Sequence, residues 1–510
     1  MKCKIRPVLI CMFFCAGIFG AKAQTHPIGI FDDQTDVGLV KHKGSGTYDS
    51  KMQQYHLQGS GSNVWGTHDE FHYVWKKMKG DFILRTNINF IGKGVEEHRK
   101  IGWMVRASLD TNSQHVSAVV HGSGLTSMQF RRTTGGQTEE KKFTLAGADV
   151  VQLERKDGRY TMSVAHRGET FVSEKLDSLD LGDDVYVGLF ICSHNANVSE
   201  QADFNNVRVV TPAPKTLVPY HDYLGSAIEI LDIDNGNSKI IYQIPKSLQA
   251  PNWTQDGKSL IYNRDGTLYN FDLASGTPTA INTGVANKNN NDHVISFDGK
   301  MLAISSGNGE HGASVGFTVP IGGGEAKQIT PVGPSYMHGW SPDGKWILFC
   351  GDRGGNFDVY RIPSTGGPEE RLTNTIGLDD GPEYSPDGKY IYFNSVRSGL
   401  MQVYRMKADG TEQTQLTNDD FNNWFPHISP DGKWIVYITF FKDEVAPGDH
   451  PFYKHVYLRI MPANGGPSKV VAYLYGGQGT INTPSWAPDS RHLAFVSNSG
   501  LLFPAFPIGQ

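Results

Sequence analysis

A short turn motif recurs along the second half of this sequence, and it limits the possible fold more than any other feature. Its six copies are centred on aspartates spaced by 42, 45, 44, 44 and 58 residues. These aspartates are Asp256, Asp298, Asp343, Asp387, Asp431 and Asp489. A period of about 40–45 residues with short strands is typical of the blades of a β-propeller. In the fullest copies, proline presets φ, aspartate bonds the local backbone and glycine accepts a positive φ, which makes a tight turn.

Each copy carries enough strand signals for a four-stranded blade. In the third copy, an apolar strand at 346–349 follows the turn. A polar loop comes next, followed by a strand at 359–362 and a last short strand. Four strands per repeat is the composition of a propeller blade. The sixth copy ends after two strands, whereas residues 227–231 and 239–243 precede the first copy as two further strands. We therefore predict six blades over residues 217–510, closed by N-terminal strands so that no long edge stays free.

The Ser-Pro-Asp-Gly-Lys run at 341–345 and the Val-Tyr-Arg strand at 359–361 resemble the repeat of the TolB-like (WD40-like) propeller family. The resemblance extends over residues 217–510 and implies the fold. The family includes periplasmic envelope proteins, non-catalytic domains of peptidases and the similar propellers of oligogalacturonate lyases. The tight Gln–His–His grouping of those lyases is not found in this sequence, so neither their metal nor their substrate is carried over.

Residues 25–212 lack this period and instead contain many short alternating runs, such as 81–88 and 185–192. Strands at this density without helices predict a β-sandwich. The Gly-Trp-Met-Val-Arg run at 102–106 and the run at 202–209 resemble concanavalin-like, or laminin-G-like, domains of bacterial carbohydrate-active proteins. That resemblance implies a jelly-roll fold and a glycan-binding or spacer role. The predicted fold is therefore all-β, an N-terminal β-sandwich (jelly-roll, concanavalin-like) followed by a six-bladed propeller.

Residues 1–23 indicate an export signal rather than part of the fold. Basic residues precede an apolar core at 8–20, and Ala21-Lys22-Ala23 is a small-x-small pattern that a signal peptidase accepts. We predict cleavage after Ala23 and a periplasmic or secreted protein; the alternative is a lipoprotein signal at Cys15, whose preceding phenylalanines match poorly. Cleavage removes four positive charges and no negative ones, so the formal net charge changes from −5 to −9.

Composition and cysteine use exclude several other classes. Charged residues make up 19% of the chain, below the usual ~25%, and no region is strongly basic, so no nucleic-acid partner is expected. Of the five cysteines, only Cys192 and Cys350 lie outside the signal, which predicts buried thiols rather than a disulfide or zinc framework. No other apolar run reaches the ~18 residues of a membrane span, so we expect no membrane-spanning segment.

One column of the repeat predicts a functional site at the upper face of the propeller, opposite the Pro-Asp-Gly turns. Five residues before the turn aspartate, four copies carry proline, whereas the second and third carry histidine. Loops on a rigid scaffold usually carry function, and imidazoles converging with carboxylates suit a divalent metal or a general acid–base pair. The predicted catalytic residues are His293, His338, His311, Glu383 and Arg353. The predicted substrate-binding residues are Trp424, Asn423, Arg397, Asp380 and Tyr336, and the predicted metal ligands are His293, His311 and His338.

These residues also have structural interpretations. A histidine near a strand start often bonds backbone groups. This interpretation applies to His338 and more strongly to His427. His427 lies one position off the column, which places it between blades. Asp379 and Asp380 indicate a solvated turn more readily than a ligand pair. An insertion at 442–454 accounts for the 58-residue spacing. Three tryptophans that share one repeat column are interpreted as blade packing: Trp253, Trp340 and Trp486.

Two functions from different classes fit this sequence. The first is an exported carbohydrate-active enzyme, a lyase or hydrolase that cleaves an oligo- or polysaccharide at the upper mouth of the propeller. The second is a non-catalytic TolB-like protein that binds a glycan or an envelope protein there. The proline-to-histidine exchange and the N-terminal resemblance favour the enzyme, although a fold by itself does not decide function.

Overall fold

The structure, a computed structural model, describes residues 27–503, and within this range every regular element except one is a β-strand. The exception is a short 3-10 helix, Glu310–Gly312. The all-β prediction is therefore confirmed. The predicted export signal at 1–23 lies outside the described residues. Within the described part of the chain, no helix is both long and apolar enough to cross a membrane.

Two seven-stranded antiparallel sheets form the N-terminal part. In spatial order the first sheet comprises β1 (Asp33–Val37), β6 (Phe71–Met78), β15 (Val185–Cys192), β8 (Lys100–Arg106), β9 (His115–His121), β10 (Thr126–Arg131) and β11 (Thr138–Lys142). The second sheet comprises β14 (Val172–Leu176), β13 (Arg159–Ala165), β12 (Val150–Lys156), β7 (Phe82–Ile91), β16 (Glu200–Val210), β3 (Gln54–Gly59) and β2 (Ser45–Asp49). A small hairpin comprises β4 (Val64–Trp65) and β5 (His68–Asp69).

The two sheets share one hydrophobic core because side chains alternate along their strands. On β7, Phe82, Leu84 and Ile88 belong to that core, so Arg85 and Asn87 lie on the opposite face of the second sheet. A fully buried side chain of this kind contributes about 1.5–3 kcal/mol. The outer face of the second sheet is left to contact the rest of the protein.

A buried ion network joins the small hairpin to the first sheet. Asp69 is fully buried and contacts Arg106 at 2.9 Å and Arg131 at 2.7 Å, and both arginines are fully buried too. Burial alone would raise the pKa of Asp69, but the bond to Arg131 and the charges of His115 and Arg106 outweigh it and lower the pKa. The carboxylate therefore stays ionised and neutralises part of two buried guanidinium charges.

The C-terminal part forms six blades, of which the first five are four-stranded antiparallel sheets. The first comprises β19 (Gln249–Trp253), β20 (Ser259–Arg264), β21 (Thr267–Asp272) and β22 (Thr277–Ala280); the second β23 (Asn289–Ile295), β24 (Met301–Ser306), β25 (Val315–Pro320) and β26 (Lys327–Gln328). The third comprises β27 (Ser335–Trp340), β28 (Trp346–Asp352), β29 (Phe357–Pro363) and β30 (Glu370–Arg371). The fourth comprises β31 (Asp379–Tyr384), β32 (Tyr390–Ser395), β33 (Gln402–Lys407) and β34 (Thr414–Gln415); the fifth β35 (Phe421–Ile428), β36 (Trp434–Phe441), β37 (Lys454–Pro462) and β38 (Lys469–Gly476).

The sixth blade is built from both ends of the repeat region, which confirms the predicted closure. β39 (His492–Ser499) pairs with β17 (Gly225–Asp232), and β17 pairs with β18 (Asn237–Ile244). On its other side, β39 contacts the innermost segment through a bridge between Trp486 and Leu493. The ring is thus closed by strands rather than by a loop.

Hydrogen bonds inside each turn explain why the repeat is so clear in the sequence. Ser341 Oγ donates to Asp343 Oδ1 (2.6 Å), and the Lys345 N–H donates to the same oxygen (3.1 Å). Gly344 follows with φ +71°, a conformation that favours glycine. These bonds, led by that of Ser341, lower the pKa of Asp343 to about 2. The turn is therefore fixed by residues that are neighbours in sequence.

Candidate functional site

The innermost strand of each of the first five blades is interrupted by a β-bulge in the same stretch of the repeat. The register shifts lie between Gln249 and Asn252, Asn289 and His293, Met337 and Gly339, Asp380 and Glu383, and Trp424 and His427. Proline is tolerated at bulges because it has no ladder hydrogen bond to donate, which explains the proline column of the sequence. Bulges also re-aim side chains and are frequent beside binding sites.

The bulges of blades two to four bring Asp292, His338 and Asp380 into one buried cluster. His338 Nε2 lies 3.2 Å from Asp380 Oδ1, and the two side chains are 4% and 11% exposed. Burial alone would lower the pKa of His338, but the bond to Asp380 and the charges of both aspartates raise it. Burial would likewise raise the pKa of Asp380, and the bond and charge of His338 lower it. The two groups therefore form an imidazolium–carboxylate ion pair.

The second carboxylate of the cluster behaves differently. Burial raises the pKa of Asp292 to about 6. The charge of His338 lowers this pKa, and the charge of Asp380 raises it. His450, from the insertion of blade five, lies near the same groups, and burial lowers its pKa. Its ring packs against that of Trp424, with 4.3 Å between centroids and 41° between the ring planes. Two neighbouring carboxylates with pKa values pushed apart are a pattern of general acid–base pairs.

A second buried pair joins blades four, five and six. His427 Nδ1 lies 2.6 Å from Glu383 Oε2, and His427 Nε2 lies 2.5 Å from the carbonyl oxygen of Ile481. Burial raises the pKa of Glu383, although the bond to His427 opposes this. The expected placement of His427 between blades is confirmed.

The three histidines predicted as metal ligands are not brought together. His293 Nε2 faces the carbonyl oxygen of Ile261 at 3.2 Å, and burial lowers its pKa to about 4, so the ring is neutral at pH 7. His311 is 93% exposed beside Glu310. Among the described residues, no group of three or more His, Cys, Asp and Glu side chains could hold a metal ion.

The two predicted arginines are bound to acids of their own blades. Arg353 donates from Nε and Nη2 to the two carboxylate oxygens of Glu369, at 2.7 and 2.9 Å. Arg397 Nη2 donates to Asp379 Oδ2 at 2.9 Å. Asp379 and Asp380 are buried in β31, so the alternative of a solvated turn was wrong. Both guanidinium groups have partners that a bound substrate would have to displace.

The predicted contact residues differ in accessibility. Asn423 is fully buried, where its amide donates to Asp419 Oδ1 (3.0 Å) and its carbonyl accepts from Thr439 (2.8 Å). Trp424 is fully buried under His450. Tyr336 is only partly buried, and burial raises its pKa to about 12. Of these three side chains, Tyr336 alone presents part of its surface.

An axial cavity of about 240 Å³ lies at the other end of the propeller, beside the Pro-Asp-Gly turns. Residues of all six blades line it. The aromatic and proline side chains of its wall are Trp253, Phe297, Trp340, Pro386, Pro430, Pro484, Trp486 and Pro488. Glu383 is the carboxylate in this lining. A mostly apolar wall with few polar groups is typical of ligand sites.

The tryptophans of this wall also pack between blades, as the sequence indicated. Trp340 Nε1 donates to the carbonyl oxygen of Val294 (3.1 Å), and Trp486 Nε1 donates to that of His427 (2.9 Å). Trp253 Nε1 has no partner among the described residues. Sequence reasoning missed the cavity, although aromatic and proline residues recur one and three positions before the turn aspartate. Two columns that are apolar in five of the six blades, with Gln255 as the exception in the first blade, were the available signal.

The C-terminal part is therefore a closed six-bladed β-propeller with a buried acid–histidine cluster and an axial cavity. The TolB β-propeller domain profile matches residues 332–446. An uncharacterized protein of Agrobacterium fabrum is 43% identical over 272 residues, which cover 53% of this chain and 92% of the relative. The chain belongs to the TolB-like β-propeller family.

One solved structure agrees with this assignment. A TolB-type structure from Agrobacterium tumefaciens is 42% identical, with a TM-score of 0.53, and is matched over 55% of this chain and 100% of its own length. An oligogalacturonate lyase in complex with manganese is 16% identical, with a TM-score of 0.37, over 53% of this chain and 82% of its own.

Proposed function

We propose that this chain is a non-catalytic binding protein that holds an extended, apolar segment of another protein in the axial cavity. The main support for this proposal is that all six blades contribute to one cavity whose wall is mainly tryptophan, phenylalanine and proline. Tryptophan is enriched among the residues that dominate protein–protein binding energy. The engagement of Arg353 with Glu369 and of His293 with a backbone carbonyl favours this function over catalysis at the upper face.

The rim and the wall of the cavity have different roles in this proposal. Phe297 is 37% exposed and forms the accessible rim, whereas the tryptophans are held in place by their neighbours. Glu383, bound to His427, is the charged polar group of the lining and would accept an N–H of the bound segment. A polar group placed in an apolar wall fixes the orientation of the ligand.

Selection of binding peptides from a display library, followed by titration of a synthetic peptide, tests this function. Occupancy of the cavity should change the intrinsic fluorescence of its tryptophans. Phe297→Ser should weaken binding roughly thirtyfold or more, because a hot-spot aromatic is worth about 2 kcal/mol or more. The matched control is Val285→Ser, since Val285 is 59% exposed and does not line the cavity. Equal affinity of both variants, or no peptide selected, would contradict the proposal.

A second candidate function is cleavage of a glycosidic bond in an oligo- or polysaccharide at the upper mouth. The observation that favours it is the divergent pKa values of Asp292 and Asp380 around His338. Here Asp292 serves as the acid and Asp380 as the base. Incubation with acidic and neutral oligosaccharides, with bound metal measured in parallel, should yield products. Asp292→Asn should abolish them, whereas Asp352→Asn, at the end of β28 beside an exposed turn, should retain them. An absence of products would exclude this function for those substrates.

The N-terminal part and the start of the chain complete the proposal. We propose that residues 25–212 form a concanavalin-like jelly-roll domain that binds glycan or acts as a spacer, and that residues 217–510 form the propeller domain. The two seven-stranded sheets of the N-terminal part, which share one core, support the jelly-roll assignment. We also propose export to the periplasm or beyond after cleavage of residues 1–23. N-terminal sequencing of the exported protein tests the cleavage site.

A further inference from the structure

The outer face of the second N-terminal sheet rests on the outermost strands of blades five and six. The Gln53 amide exchanges two hydrogen bonds with the backbone of Ile240, at 2.8 and 2.9 Å. The Val470 N–H donates to the carbonyl oxygen of Gly168 at 2.9 Å. Between these contacts lies a cavity of about 420 Å³, lined by residues of both parts of the chain. It is separate from the axial cavity and the acid–histidine cluster.

Arg85 of β7 projects from that sheet face into the cavity and is 7% exposed. Six arginines of the described residues are this deeply buried, and the other five each contact a carboxylate. Those five are Arg99, Arg106, Arg131, Arg208 and Arg459. Arg85 has no side-chain hydrogen bond or ion pair with any described residue. It also borders two further cavities, of about 280 and 20 Å³.

Glu229, the carboxylate whose charge acts on Arg85, is bound to other groups. Arg208, directly across the ladder from Arg85, contacts Glu229 at 2.5 Å. The two oxygens of Glu229 also accept from Ser497 (2.6 Å) and Ser238 (2.7 Å). Burial, with the charge of Arg208, lowers the pKa of Arg85 to about 10, so the guanidinium still carries its charge at neutral pH. A buried charge without a partner is costly, and proteins normally pair it.

The remaining lining of the cavity favours an anion. Its basic side chains are Arg85, Arg167, Arg208 and Lys469, and its carboxylates are Glu229 and Asp234. Arg167 and Lys469 are exposed, so they lie where a ligand would enter. Three amide side chains also line the cavity: Asn87, Asn206 and Asn235. The amides of Asn206 and Asn235 already bond Gly236 and Asp232, so Asn87 is the one that adds a neutral hydrogen-bonding group. The excess of positive charge thus extends from the entrance to the buried end.

We propose that this cavity is a binding site for the oxoanion group of a small ligand, a carboxylate, sulfate or phosphate, held by the fork of Arg85. A planar guanidinium binds such groups with two parallel hydrogen bonds. Arg167 and Lys469 attract the ligand at the entrance. The site is independent of the function proposed for the propeller axis. Because both parts of the chain line it, a bound anion also stabilises their contact.

Calorimetric titration and thermal unfolding of the full chain test the site, with sodium sulfate, sodium phosphate and sodium glucuronate as probes. Sodium chloride at equal ionic strength serves as the reference, since sulfate and phosphate stabilise proteins non-specifically. At least one probe should bind saturably and raise the Tm. Arg85→Met should weaken that binding at least tenfold, as expected for a charge-assisted bidentate pair. Preference for glucuronate would indicate a sugar acid or other carboxylate, and preference for sulfate or phosphate would indicate an inorganic anion or an ester.

The controls separate a binding role of Arg85 from a structural one. Arg159→Met removes the same charge from an arginine that is 75% exposed and should bind like the wild type. Without any probe, Arg85→Met should be no less stable than the wild type, because it removes an unpaired buried charge. If Arg85→Met does not fold, Lys469→Gln, at the exposed entrance, replaces it as the test of the site. Lys469→Gln should weaken binding severalfold. The proposal is overturned if no probe binds saturably, if Arg85→Met binds equally well, or if Lys469→Gln leaves binding unchanged where it decides.

Discussion

Replacing His455 by glutamine should weaken the contact between the N-terminal sheets and the propeller at neutral pH but not at alkaline pH. His455 lies between Glu154 of β12 (Nε2 to Oε2, 3.2 Å) and Glu444 of the blade-five insertion (Nδ1 to Oε1, 3.3 Å). Burial alone would lower the pKa of His455, but the two carboxylates outweigh it and raise the pKa from 6.5 to about 9. The ring is therefore protonated at pH 7 and bridges the two parts electrostatically.

The magnitude follows from the difference in pKa between the unfolded and folded states. A rise from 6.5 to about 9 corresponds to roughly 3 kcal/mol of preference for the protonated form. The Glu444 side chain is 39% exposed, so solvent screening reduces the contribution to about 1–2 kcal/mol. Because the folded-state pKa is the higher one, this stability is fully present below about pH 6.5 and is lost as the pH rises through about 9.

Urea unfolding of the wild type and His455→Gln at pH 7 and pH 10 measures this effect. The difference in unfolding free energy should be about 1–2 kcal/mol at pH 7 and close to zero at pH 10. His166→Gln is the matched control, since the ion-pair partner of His166, Asp149, belongs to the N-terminal part itself. A difference between wild type and His455→Gln that stays the same at both pH values would refute the reasoning.

Three further predictions concern buried and partly buried groups. Asp69→Asn should lower the unfolding free energy by about 3–5 kcal/mol, because it leaves two buried guanidinium groups without their carboxylate; urea denaturation measures this loss. Arg353→Lys should cost roughly 1–3 kcal/mol by thermal denaturation, since a lysine cannot reproduce the fork on Glu369. Cys192 and Cys350 are buried, and burial raises the pKa of the first thiol to about 11 and that of the second well above 9, so neither should react with a thiol reagent before unfolding.

The propeller could be predicted from sequence because the features that define a blade are local. The turn of blade three is fixed by bonds from Ser341 and Lys345 to Asp343, all within five residues. The first five blades repeat this arrangement and the sixth keeps the backbone bond to Asp489, so the period appears directly in the sequence. Ring closure followed from counting strands, because a closed ring leaves no unpaired edge. The two thiols outside the signal were predicted to be buried, and both are.

The site was harder to predict because its contacts join different blades. Glu383 and His427 are 44 residues apart and meet only because the blades close into a ring. A repeat column shows which residues lie at one height, but not which charges already have partners. Arg353 stands in a mouth loop, yet its charge is taken by Glu369, 16 residues later. His293 and His338 share a column, but one faces a carbonyl oxygen and the other faces a carboxylate.

The lengths of the outermost strands differ between the blades that contact the N-terminal part and those that do not. The outermost strands of blades one to four, β22, β26, β30 and β34, are only two to four residues long. Those of blades five and six, β38 and β18, are eight residues long each. A long exposed edge strand invites pairing with another chain, and proteins keep such edges short or cover them. The two long edges are the ones on which the N-terminal sheet rests, through the contacts of Gly168 with Val470 and of Gln53 with Ile240. The N-terminal sheet thus covers the two edges that would otherwise be open to self-association.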